Sequence, residues 1–145
     1  MSSKISSLIA LVIAVAGLVY LIYSQHLFST NPVSIAIQIS AAALMIWSRI
    51  TFGLRSFHAT ANTTSGELVT NGPYHWLRHP IYASIIYFSW ACVIAYPLLE
   101  TIVPVCLITA GLFTRMLLEE KFLLIAYPEY KSYMKQTKRV IPYLF

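Results

Sequence analysis

A chain of 145 residues that is 58% hydrophobic and only 10% charged is no small water-soluble domain. Soluble domains run near ~25% charged, and a chain this short has too little interior to hide so much apolar surface. The length allows one domain, and the composition makes it an integral membrane protein. The net charge of +5 does not indicate a nucleic-acid partner, because the cations flank apolar spans and suit anionic lipid headgroups.

Two apolar runs, residues 5–28 and 32–54, are each long enough to cross hydrocarbon, which takes roughly 20 residues. A third stretch, 81–118, is broken by Tyr96-Pro97. It reads as a helical hairpin, 81–95 then 98–118, with Pro97 near the start of the second arm. The first arm is short for a full span, so its N-terminal end is expected to be buried in protein. The fold class expected is all-α: an integral membrane helical bundle of about four transmembrane helices with an amphipathic C-terminal segment. As a single domain it divides into two N-terminal spans (1–55), a loop (56–79), the hairpin (80–118) and an interfacial tail (119–145).

Topology follows from the cations. In this arrangement all ten lie on one side: Lys4, Arg49, Arg55, Arg78, Arg115, Lys121, Lys131, Lys135, Lys138 and Arg139. The positive-inside rule then predicts a multi-pass protein with both termini and the central loop in the cytoplasm. Ala14-Val15-Ala16 looks like a signal-peptidase site but lies inside the apolar run, so the first helix is expected to stay uncleaved. Cys92 and Cys106 fall within expected helices, without metal-ligand spacing or a redox motif, and no metal is expected. Asn62-Thr63-Thr64 fits a glycosylation acceptor, but on a cytoplasmic loop it would not meet the enzyme.

Within that loop, residues 59–66 are small and polar and read as a mobile linker. Residues 67–70 suit a short extended piece, Asn71-Gly72-Pro73 a turn, and Tyr74, His75, Trp76 and Leu77 an aromatic cluster at the membrane interface. Trp76 is expected to be an interfacial anchor. His79-Pro80 then opens the third helix, where proline costs nothing because that amide has no intrahelical partner. The remaining free amides and the helix dipole make a seat for a carboxylate or phosphate.

At the far end of the hairpin, Arg115 and Glu119 are four apart and share a helix face, while Glu120 points about a third of a turn away. Taken as the end of a helix leaving the bilayer, they are ordinary interfacial charges. Yet carboxylates at a helix C-terminus oppose the dipole, and two together point to an external cation or a basic partner. Beyond Lys121, apolar and aromatic residues alternate with lysines and Pro128 splits the run, which suggests a surface helix on anionic headgroups.

Taken in order, Leu68-Val69-Thr70-Asn71-Gly72-Pro73-Tyr74, Arg78-His79-Pro80-Ile81-Tyr82, Arg115 with Glu119-Glu120, Tyr127-Pro128-Glu129-Tyr130 with Tyr133, and Arg139-Val140-Ile141-Pro142 resemble the isoprenylcysteine carboxyl methyltransferase family and the related phospholipid methyltransferases. The resemblance implies a membrane methyltransferase that uses S-adenosyl-L-methionine. Carried over by position, Gly66, Glu67, Leu68, Val69, Tyr74, His79, Pro80, Ile81 and Tyr82 would line the cofactor pocket. Glu119 matches the cofactor-binding acid, Arg115 the arginine that holds substrate near the methyl group, and Arg139 with Pro142 the closing motif. The chemistry is coherent. A zwitterionic sulfonium cofactor needs an acid for its ammonium, helix amides for its carboxylate and aromatic rings for its positive sulfur. Only two spans precede the motif, which points to a lipid-like, prenylated or small hydrophobic acceptor methylated on a carboxylate, thiol or amine. Two alternatives stand beside this. Sterol-reductase-type enzymes share an Arg-His-Pro core but bind NADPH, and a membrane scaffold could keep the fold without activity.

Overall fold

The computed structural model describes residues 3–53 and 68–144. The expected linker 59–66, the Asn62 pattern and the candidate residues Gly66 and Glu67 lie outside the described residues. The helices are α1 (Ser3–Tyr23), α2 (Pro32–Phe52), α3 (Pro80–Ala95), α4 (Leu99–Ala126) and α5 (Tyr130–Gln136), with a 3-10 turn, Gly72–His75, ahead of α3. No strand occurs among the described residues, and the one extended pairing is an isolated parallel bridge between Leu77 and Lys138. The protein is an all-α membrane bundle.

Helices α1, α2 and α4 are long and apolar enough to cross a membrane. Helix α3, with 16 residues, reaches only about 24 Å at 1.5 Å per residue, short of a hydrocarbon core of about 30 Å. Its first turns bury Pro80, Ala83 and Ser84 in protein, as expected for a short arm.

The bundle is assembled from two close pairs, α1 with α4 and α2 with α3, joined through α3 against α4. On α1 the buried residues Ser7, Ala10, Ala14, Gly17 and Leu21 recur every three or four positions, so they form one stripe facing α4. Val12, Val15, Val19 and Ile22 cover the opposite face and are exposed, as lipid-facing residues are. The stripe is small because the backbones nearly touch. A Cβ on Gly111 would lie 2.6 Å from the Ala10 carbonyl oxygen, and one on Gly17 would lie 2.7 Å from Ile108 Cγ1. Bilayer helices associate through such small-residue seams, since lipid supplies no hydrophobic drive between them.

Helix α2 begins at an Asn31 cap whose Oδ1 accepts from Val33 N at 3.0 Å and Ser34 N at 3.3 Å. Gln38 on its buried face donates from Nε2 to the Leu27 carbonyl at 2.8 Å, pinning the α1–α2 connection. Beyond α2, Gly72 takes φ +57, and a Cβ there would lie 2.8 Å from Thr51 Oγ1. Glycine is required on both counts.

One expectation needs correction. The second arm of the hairpin does not end at Leu118; α4 continues to Ala126, so Glu119 and Glu120 lie about two turns before its end. Nothing breaks the helix before Pro128, and the charges that looked like an exit into water are paired. The aromatic face of the tail packs on the protein. Helix α5 buries Tyr130 and Tyr133 against the protein and leaves Lys131 and Lys135 exposed.

Candidate functional site

The start of α3, the last third of α4 and the C-terminal tail meet at one end of the bundle. The tail binds the chain just before α3 as a short ladder. Lys138 N donates to Trp76 O at 3.1 Å, Arg78 N to Lys138 O at 2.7 Å, and His79 N to Arg139 O at 3.0 Å. Tyr133 Oη donates to Tyr74 O at 2.5 Å, and Tyr87 Oη donates to Val140 O. Residues 127–142 thus form a strap across the entrance to α3.

Under the strap the two adjacent acids diverge, since successive residues on a helix differ by about 100°. Glu119 turns toward Tyr82 and Arg115. The Tyr82 hydroxyl donates to Glu119 Oε1, Arg115 Nη2 reaches the same oxygen at 3.3 Å, and Arg115 Nε donates to Tyr82 Oη at 3.1 Å. Arg115 is only 3% exposed, whereas the Glu119 side chain is 21% exposed. Glu119 Oε2 meets only His79 Nδ1, at 3.8 Å, among the described residues.

Glu120 turns the other way and is buried. Its Oε1 accepts from Arg78 Nε at 2.9 Å, and its two oxygens take Arg139 Nε and Nη2 between 3.0 and 3.2 Å. A forked guanidinium on a carboxylate is among the stronger charge-assisted contacts. Arg78 also donates from Nη1 to Met134 O at 3.1 Å and to Thr137 O at 2.5 Å, so it grips the strap backbone as well.

Between the acids lies His79, buried, its ring stacked on Tyr82 at 5.7 Å and 19°. Its Nε2 is 3.5 Å from Glu120 Oε1 without hydrogen-bond geometry. Tyr130 Oη is buried and likewise without a partner among the described residues. Burial pushes the phenols of Tyr74, Tyr130 and Tyr133 well above their ordinary value, so at neutral pH these groups are uncharged.

Of the residues expected at the site, the fold brings His79, Tyr82, Arg115 and Glu119 to one cluster, with Pro80 and Ile81 next to them in the first turn of α3. Tyr74 lies at the same end, its ring 5.4 Å from Phe52 and its hydroxyl within electrostatic reach of Glu119. Leu68 and Val69 are half-buried in the irregular segment leading into the turn. No hydrogen bond, ion pair or ring contact among the described residues ties them to the acids. Gly66 and Glu67 lie outside the described residues. Trp76 is exposed and packs edge-on against Trp47 at 6.1 Å.

Sequence reasoning missed the separate job of Glu120. Its cations are internal, Arg78 and Arg139, not external ones. The available signal was arithmetic: two arginines flank the motif, and Glu119 is already matched to Arg115 by spacing. Beside the site, an apolar cleft of about 330 Å³ is lined by Leu44, Trp47, Trp76, Leu77 and Tyr87, with Pro142 of the strap at its edge.

Comparison with curated proteins and with solved structures returns no match. Comparison with protein families matches residues 33–125 to the isoprenylcysteine carboxyl methyltransferase family. The matched segment runs from α2 to the end of α4 and contains the Arg78-His79-Pro80 entry, Tyr82, Arg115 and the acid pair; the strap lies beyond it. A match over well over half of the chain, on an all-helical membrane bundle that gathers those residues at one end, leads to one conclusion: the chain belongs to the isoprenylcysteine carboxyl methyltransferase family, a family of membrane methyltransferases.

Proposed function

We propose that the protein transfers a methyl group from S-adenosyl-L-methionine to a lipid-like or prenylated acceptor, on a carboxylate, thiol or amine. The observation that carries this reading is the half-open carboxylate of Glu119. One of its oxygens is held by Tyr82 and Arg115, and among the described residues the other faces only His79, at 3.8 Å. An acid fixed through one oxygen and open at the other suits an incoming ammonium.

The other donors fit the same ligand. His79 caps α3 with no side-chain hydrogen bond, so the first-turn amides of Ile81 and Tyr82 remain for a carboxylate. The ring of Tyr82 supplies a face for positive charge, and Leu68, Val69 and Tyr74 supply apolar wall for adenine. When bound, the cofactor supplies a methyl carbon already activated by a sulfonium. The protein's own work is then alignment and exclusion of water. Glu119 and the α3 amides hold the amino-acid end, and the strap covers it. Arg115, buried beside Glu119, is a fixed positive charge for an anionic acceptor. The apolar spans around the site favour an acceptor that arrives from the bilayer. Both termini and the site are assigned to the cytoplasm, a reading that rests on the distribution of Lys and Arg.

The test is calorimetric titration of the detergent-purified protein with S-adenosylmethionine, with NADPH in parallel. Saturable binding of the first alone is expected. Glu119→Gln keeps the side-chain size and removes the charge, and it should weaken cofactor binding about a hundredfold, as loss of one buried charge-assisted contact does. Unchanged affinity in that variant, or binding of NADPH instead, overturns the reading.

A further inference from the structure

We propose that Glu120, the second acid of the pair, is a positioning residue that touches no cofactor: it locks the C-terminal strap, through Arg139, to the entrance of α3, through Arg78. The proposal rests on the reading of Glu119 as the cofactor's acid and adds a division of labour between neighbours. Both Glu120 oxygens are committed, Oε1 to Arg78 and Arg139 and Oε2 to Arg139. Its side chain is 6% exposed, against 21% for Glu119. An ammonium arriving from solvent therefore finds Glu119 open and Glu120 enclosed.

What Glu120 holds together is distant in the chain. Arg78 precedes α3, Arg139 follows α5, and Glu120 lies on α4. Among the described residues, this carboxylate joins the three side by side. The ladder it clamps, Arg78 N to Lys138 O and His79 N to Arg139 O, fixes the backbone immediately before the α3 amides. It also fixes the His79 ring, whose Nδ1 faces Glu119 and whose Nε2 faces Glu120. Releasing the strap therefore shifts His79 and the start of α3 relative to Glu119, and a displacement on that scale costs binding and rate without removing any ligand contact.

The same carboxylate explains why the acids are adjacent. A helix offers two directions about 100° apart at consecutive positions. One acid reaches inward to the strap arginines and the other stays at the rim. An acid three or four residues away would lie on the same face as Glu119 and point to the rim as well.

The experiment is hydrogen exchange, residue-resolved, on the full-length protein in detergent without cofactor, followed by S-adenosylmethionine titration. Arg139→Gln is the first variant, because the Arg139 side chain is 24% exposed and its loss leaves Glu120 paired with Arg78. The amides of Arg78 and His79 should exchange at least about tenfold faster than in wild type, since their acceptors belong to the strap. Cofactor affinity should fall by roughly ten- to a hundredfold. Arg139→Lys keeps the charge but cannot fork across two oxygens, and it should fall between the two. Glu119→Gln should lose cofactor affinity with the Arg78 and His79 amides still protected. Unchanged exchange at those two amides in both Arg139→Gln and Glu120→Gln overturns the clamp, as does Glu120→Gln abolishing binding while Arg139→Gln leaves affinity intact. Failure of Glu119→Gln to weaken binding instead counts against the cofactor assignment, and the exchange rates still decide the clamp.

Discussion

Tyr82→Phe isolates one oxygen atom. The Tyr82 hydroxyl donates to Glu119 Oε1 and accepts from Arg115 Nε at 3.1 Å, so it is the node between the acid and the buried arginine. Phenylalanine keeps the ring and its stacking on His79 at 5.7 Å, so the loss is confined to these two hydrogen bonds. Bonds to charged groups contribute about 1.5–3 kcal/mol each. Glu119 retains Arg115 Nη2 at 3.3 Å, which recovers part of the first. Arg115 Nε, in a side chain only 3% exposed, cannot turn to water to recover the second. The net cost comes to about 2–4 kcal/mol. In detergent the unfolding midpoint should drop by about 5–10 °C. Because Glu119 then loses its aim, S-adenosylmethionine affinity should fall about tenfold, equivalent to 1.4 kcal/mol. The assay is thermal unfolding with and without cofactor, alongside titration. A midpoint within about 1 °C of wild type, with unaltered affinity, would falsify the view that this hydroxyl organises the site.

Other perturbations probe separate parts of the argument. Arg115→Gln removes a partner of Glu119 and should weaken cofactor binding about tenfold, and at saturating cofactor it should still lower methyl transfer about a hundredfold, because the fixed charge that orients an anionic acceptor is gone; single-turnover rates measured at saturating cofactor decide it, and full activity refutes the role. Gly111→Ala places a methyl 2.6 Å from the Ala10 carbonyl oxygen and should destabilise the α1–α4 seam by about 1–3 kcal/mol, read as a lower unfolding midpoint. Burial foremost raises the phenols of Tyr74, Tyr130 and Tyr133, so above the unfolded value of about 10 the unfolded chain gives up protons that the folded protein keeps. Stability is then full below that pH and falls as pH climbs above it; a flat unfolding midpoint between neutral pH and strongly alkaline pH would contradict the burial of these residues.

The spans were readable from hydropathy because bilayer thickness sets helix length, and α1 and α2 fall where the apolar runs lie. The break at Tyr96-Pro97 was equally plain, since the residue before a proline is pushed out of the helical region. The end of α4 was not readable. Glu119, Glu120 and Lys121 look like an exit into water, and only tertiary partners reveal that the helix continues. Local spacing showed Arg115 with Glu119, four residues apart. It could not show Glu120 with Arg78, 42 residues away, or with Arg139, 19 residues away in the other direction. The destination of the tail was hidden for the same reason. An aromatic and lysine-rich stretch does not say which protein groups it will meet, and these are Tyr74 and Tyr87, which offer partners to the strap.

The glycine seam has a consequence for biogenesis. Helix α1 leaves the ribosome before α2, α3 and α4, yet α1 and α4 pack most closely on each other. While α2 and α3 emerge, α1 must wait in lipid with its small-residue stripe uncovered. The acid pair rides on α4, so no fragment ending before it can gather the charged cluster. A nascent chain therefore carries no partial reaction centre into the bilayer, and a truncated product should be seen by quality control as an orphaned span with an unmet face.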